Sequence, residues 1–227
     1  MFGGSSSDEP KKTPAVAGGG GATPAPARVR EEKTFSRHSN GLDQFIHGLR
    51  DQEGLSILDL SGVSQQNISF ISSLNLGHRL YFDDFTQTLE HSFGTTNFYE
   101  NQTNPQHVDI FLAQALNYED NSFQAALIWD SLEYLTQPLL TSVMDRLYRI
   151  LTPGATLLAF FHADEHAGDV PAYSYRIVDQ ATLSLASRGR RRPAQYYNSR
   201  GLEKLFARWE TKKFFLTRDH LREVKIG

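Results

Sequence analysis

The chain has 227 residues, 39% of them apolar and 22% charged, with a formal net charge of −3. This suits one soluble domain of moderate size plus a tail, and it excludes any general attraction to nucleic acid or anionic lipid. The absence of cysteine excludes disulfides, thiolate metal sites and a cysteine nucleophile. No apolar run approaches the ~20 residues of a membrane span, and no basic start followed by an apolar core marks a secretory signal, so a cytoplasmic protein is expected.

Residues 1–33 are rich in Gly, Pro, Ala and Ser, with no aromatic after Phe2. Such a segment cannot bury enough apolar surface to offset its ordering entropy. It reads as a disordered tether, or as a docking arm that orders on a partner. The folded domain is expected over 34–227. Leu42, Phe45, Ile46 and Leu49 recur at helical spacing. Residues 55–60 read as a first strand ending near Asp59, with Ser-Gly-Val-Ser-Gln-Gln as its turn and a helix carrying Ile68, Phe70, Ile71 and Leu74. A second strand, 78–85, closes on Asp83 and Asp84. Residues 86–115 read as helical or irregular, broken at Asn104-Pro105, and a short third strand is expected near 114–117.

Residues 123–129 form a fourth apolar strand running into Asp130. An amphipathic helix follows over 139–151, then Pro153-Gly154 and a fifth strand, 156–161. Strand, helix, strand at this spacing is a βαβ unit, which requires a parallel sheet buried between helices. Ser199 is expected to cap a helix carrying Leu202, Leu205, Phe206 and Trp209, and 212–219 and 221–227 read as two last strands. The sum is an α/β three-layer sandwich around a mostly parallel seven-stranded sheet with an antiparallel C-terminal edge strand. Ligands of such sheets bind at the carboxyl ends of the strands.

Taken together, Ile57–Gln65, the acidic pair at 83–84, the segment 116–135 and the helix, Pro-Gly turn and strand of 144–160 resemble the class I S-adenosylmethionine-dependent methyltransferases, a Rossmann-like family. The resemblance covers about residues 42–227. It implies S-adenosylmethionine as cofactor and an unidentified small or macromolecular methyl acceptor. It places the cofactor against Asp59, Ser61 and Gly62 in the first turn, Asp83 at the ribose, Tyr118 near the adenine and Asp130 near the methyl donor. Asp83 stands 21 residues after Gly62, where the family carries its ribose-binding acid. The first turn departs from the family. Glycines are expected where Ser61, Val63 and Gln65 stand, and Gly62 falls between them. Those glycines let the backbone pass close to the cofactor. Either the turn takes another path and still binds, or side chains fill the hollow and the chain is a catalytically inactive binding or assembly module.

Each site residue also has a structural reading. Asp59 can order its own turn, Asp83 and Tyr118 can belong to solvated loops, and Asp130 can cap a turn with Glu133 in a capping box. His162 and His166 bracket Glu165 at the spacing of inverted zinc peptidases. A loop cannot bring both imidazoles to one helix face, so no metal is expected, and either histidine could instead act as a general base beside the site. Residues 187–200 concentrate five arginines and two tyrosines. They read as a basic loop that is solvated or grips an anion or an acidic protein partner, with nucleic acid not expected.

Overall fold

The computed structural model describes residues 34–164, 168–217 and 219–227. The expected tail and His166 lie outside them. Two sheets are present. The larger is α/β and mostly parallel. It contains β2 (Ser56–Asp59), β3 (Arg79–Phe82), β4 (Phe123–Trp129), β5 (Leu151–His162), β8 (Lys212–Leu216) and β9 (Leu221–Ile226), in the order β3-β2-β4-β5-β9-β8. The pairs β2–β3, β2–β4 and β4–β5 are parallel, and β9 runs antiparallel to both β5 and β8. The expected architecture therefore needs two corrections. The reversed strand is one place in from the edge, and six strands form the sheet.

The seventh strand, expected at 114–117, does not form. Ala115 and Leu116 are both fully buried, and Leu116 takes φ +56 as the chain leaves helix α5 (Pro105–Gln114). Leu116 drops into the core instead of pairing with β3. Strand β5 begins earlier than expected, and Pro153-Gly154 lies in a bulge where the pairing with β4 slips between Ala125–Thr156 and Phe123–Leu151.

The side chains of β4 and β5 alternate between two cores, as period-2 strands buried on both faces must. Ala126, Ile128, Leu157, Ala159 and Phe161 face helices α3 (Phe85–Phe93), α5, α6 (Gln137–Ile150) and α7 (Ser199–Leu205). Asn198, one residue before the expected Ser199, caps α7 by accepting from Gly201 N. On the other face, Ala125, Leu127, Trp129, Leu158 and Phe160 meet α1 (Asn40–Arg50), Ile71 of α2 (Gln65–Ser73) and the second sheet.

That second sheet is unanticipated. It joins β1 (Thr34–His38), β6 (Val170–Asp179) and β7 (Thr182–Arg191) antiparallel in the order β1-β7-β6. Residues 187–191, expected in a loop, are its last strand residues. Arg37 of β1 anchors it to β9. The guanidinium stands 2.6 Å from Glu223, which is 0% exposed, and 2.7 Å from Asp219. Glu223 also accepts from the N–H of Gly41 at the start of α1.

Candidate functional site

In a sheet ordered β3-β2-β4, the chain passes from β2 outward to β3 and then crosses back over β2 to β4, so the strand order reverses beside β2. The crevice at the carboxyl ends of β2 and β4 is the topological switch point, where ligands of open α/β sheets sit. Asp59 ends β2 there and is 0% exposed. Its Oδ1 accepts from Ser61 N (2.9 Å), Ser61 Oγ (2.7 Å) and Trp129 Nε1 (2.7 Å), and its Oδ2 accepts from Asn67 Nδ2 (2.8 Å). Burial is the dominant influence on this carboxyl and pushes its pKa up. The donors from Trp129, Ser61 and Asn67 pull it back only in part. Asp59 therefore orders its own turn, and all of the contacts named are made within the chain.

Trp129 closes the crevice. It ends β4 at φ +57, a conformation that costs a bulky residue about 1–3 kcal/mol and persists only where the surroundings enforce it. Here they do. The indole stacks on Tyr175 of β6 with centroids 4.9 Å apart and planes 7° from parallel, and it meets Phe160 edge-on at 5.7 Å. Asn67 of α2 holds β6 over it by accepting from Ile177 N at 2.8 Å. Val63 and Gln65, the side chains able to plug the missing-glycine turn, instead face solvent, Val63 being 82% exposed. What covers Trp129 is Tyr175 of β6. A cleft of about 360 Å³ does border the turn, lined by Ser61, Val63, Ser64, Ser174, Tyr175 and Arg176 among others. It contains none of Asp59, Asp83 or Asp130.

The residues after β3 are tied to the same turn. Ser61 bridges Asp84, and Gly62, at φ +80, donates to Asp83 O at 3.2 Å. A Cβ on Gly62 would stand 3.0 Å from the Asp84 carboxylate, so a side chain there would press on Asp84 as well as strain the positive φ. The Asp83 carboxylate accepts from Leu116 N at 2.9 Å, and burial raises its pKa. Asp84 caps α3 by accepting from Gln87 N. Tyr118 is half-buried, and its ring packs edge-on against Phe123 at 4.8 Å. The acid and the tyrosine expected at ribose and adenine are thus both engaged with protein.

Beyond β4 the chain makes a 3-10 turn at Ser131–Tyr134. The expected capping box is not made, because the Asp130 side chain bonds to no turn N–H. Glu133 instead reaches across to β5, 2.6 Å from His162 Nδ1, and accepts from His162 N at 2.9 Å. Asp130, Glu133 and His162 are all buried. Burial, the largest influence on His162, opposes protonation, but Glu133 and then Asp130 outweigh it and the pKa rises. Burial and the neighbouring Glu133 push Asp130 up to about 6. The Asp130 carboxyl lies beside the Tyr175 hydroxyl, and the Tyr134 hydroxyl beside Glu133. The contact of Glu133 with His162, between the turn after β4 and strand β5, was not foreseen. Their 29-residue separation leaves no local signal.

Among the described residues no group of three or more His, Asp or Glu side chains is placed to hold a metal ion, and no helix is long and apolar enough to cross a membrane.

No protein-family profile matches the chain, and no curated protein matches it in sequence. Several solved structures are similar to it in shape. A SAM-dependent methyltransferase from Methanosarcina mazei is 18% identical over 80% of this chain and 95% of its own, with TM-score 0.44. The 1,6-didemethyltoxoflavin-N1-methyltransferase of Burkholderia thailandensis, solved with 1,6-didemethyltoxoflavin and S-adenosylhomocysteine, is 12% identical over 82% and 75%, with TM-score 0.43. A protein from Pyrococcus horikoshii is 13% identical over 82% and 87%, with TM-score 0.45.

Proposed function

We propose that this chain is a non-catalytic binding or assembly module built on a methyltransferase-like α/β scaffold. The observation that carries this reading is Trp129. Its ring lies between Asp59 and Tyr175 in the crevice where a nucleoside cofactor of this scaffold would sit. Asp59 and Asp130, the acids at the crevice, are 0% and 1% exposed. A ligand reaching them would have to displace an aromatic stack and at least one charge-assisted hydrogen bond, a large cost for any small molecule. The test is titration calorimetry and thermal melting with S-adenosylhomocysteine. A ligand that binds only the native state raises the melting temperature, so the module reading expects neither heat nor a shift at millimolar ligand. Saturable binding would overturn it.

A second reading keeps the reaction, an S-adenosylmethionine-dependent transfer to an unidentified acceptor. It is favoured by Gly62 at φ +80 beside Asp83, since a left-handed turn glycine and a strand-end acid are two parts of the cofactor site that the sequence resemblance implies. On this reading β6 lifts from Trp129, and Asp130 or His162 serves as the base for an acceptor that must lose a proton. Saturable S-adenosylhomocysteine binding that is lost in Asp83→Ala would support it.

A further inference from the structure

At the end of β7 that pairs with Val170, the strand carries Arg188, Arg190 and Arg191 beside the first turn of α3. The pairing of β6 with β7 slips there. Tyr173 opposes Ser187 and Pro171 opposes Arg190, so Arg188 and Gly189 together face the single residue Ala172. Gly189 takes φ +111. A bulge of this kind re-aims side chains, and such bulges are enriched beside functional sites. Here it directs the arginines into a cleft of about 250 Å³ whose walls include Thr86, Gln87, Ala172 and Tyr134.

The charges within this cleft do not cancel. Arg191 pairs with Glu90 and lies over the rings of Phe98 and Tyr134 at 4.8 and 5.6 Å. The other acid in the wall, Asp84, caps α3. Arg188 donates to Thr86 Oγ1 at 3.3 Å and Arg190 to the carbonyl of Asp169, both neutral acceptors. Among the described residues neither guanidinium forms a salt bridge, although Arg188 acts through space on the buried Asp130. Tyr134 closes the floor of the cleft: it is 1% exposed, and its hydroxyl lies beside the buried carboxylates of Glu133 and Asp130.

We propose that this cleft is a binding site for a phosphate monoester of a small molecule, its phosphoryl oxygens held by Arg188 and Arg190. Paired guanidinium groups suit the oxygens of phosphate, which accept in bidentate fashion. The cleft is distinct from the crevice under Trp129, so the inference stands or falls separately from the closed-crevice reading.

The test follows the melting temperature and the 31P signal of the full chain. It is titrated with inorganic phosphate, with phosphoserine and with sodium chloride at matched ionic strength. A saturable response to phosphoserine, stronger than to inorganic phosphate, is expected, with none to chloride. Arg188→Gln with Arg190→Gln should weaken it about tenfold or more, in keeping with the loss of charge-assisted bonds. Arg188→Gln alone removes one exposed guanidinium of the pair. It should weaken phosphoserine binding by a smaller factor while leaving the melting temperature of the free protein unchanged, so it keeps the test sharp if the double variant does not fold. A response to inorganic phosphate alone would reassign the site to the free ion and overturn the ester. An equal response to chloride, or full phosphoserine affinity in both variants, would overturn the site itself.

Discussion

Two places at the carboxyl edge of the main sheet are covered by the same hairpin, β6–β7, with opposite results. Over β2 and β4, Tyr175 stacks on Trp129 and the crevice is filled. Over α3, a bulge at Arg188 and Gly189 holds the hairpin so that a cleft of about 250 Å³ remains. The difference ties what is left open at this edge to what the second sheet lays across it. The strand order supplies a switch point beside β2 and β4, and on the proposed reading one aromatic side chain from the second sheet keeps it covered.

The filled crevice is easiest to break at Trp129. Trp129→Ala removes a stacked ring and one of the donors to Asp59, and a loss of about 3–5 kcal/mol is expected by urea denaturation. Relief of the positive φ offsets only part of this, because alanine at φ +57 is still strained. A loss below about 1 kcal/mol would mean the stack is not what closes the crevice.

Asp130 has an effect of opposite sign. Its pKa is raised to about 6 by burial and by Glu133. A raised folded-state value means the native state holds the proton more tightly than the unfolded chain, so stability falls as pH rises from the unfolded value of about 4 to about 6. Asp130→Asn removes this dependence. It should stabilise the protein at pH 7 by about 2–3 kcal/mol, and a destabilised variant would contradict the assignment.

His162 titrates in a higher window. Its raised pKa contributes stability that is fully present below the unfolded value of about 6.5 and is lost as pH rises through the folded value. Glu133→Gln should cost about 1–2 kcal/mol at pH 6 and much less at pH 9. Melting curves at the two pH values check this, and an equal loss at both would show that the pair is held without charge.

The smallest effect is expected at Asp83, where Asp83→Ala loses the bond from Leu116 N and about 1 kcal/mol. A melting temperature that falls by more than about 10 °C would mean that Asp83 anchors far more of the edge than this one bond.

These differences also separate what the sequence made legible from what it did not. Helix α6 and strands β4 and β5 could be read because apolar periodicity is local and their burial is nearly complete. The β6–β7 hairpin carried a signal too. Tyr175, Ile177, Leu183 and Leu185 are buried and alternate with the less buried Arg176 and Ser184. Its turn, Gln180-Ala181 between the paired Asp179 and Thr182, lacks the Asn-Gly or Gly-Gly chemistry that announces a tight hairpin. The arginine-rich end then reads as solvated loop. Of the candidate site, the acids ending β2 and β4 were visible as residues, but their state was not. Trp129 to Asp59 spans 70 positions and Glu133 to His162 spans 29, and side-chain bonds of that range leave no trace in periodicity or spacing.

The closed crevice is tested most directly by its own tryptophan. The chain has two tryptophans, Trp129 and Trp209, so an 15N-labelled sample shows two indole N–H signals, assigned with Trp209→Phe. During titration with S-adenosylhomocysteine to millimolar concentration, the Trp129 signal should stay in place and exchange slowly with solvent, as a buried donor to Asp59 must. A saturable shift of that one signal would contradict the account, because it would place the nucleoside where the ring now lies.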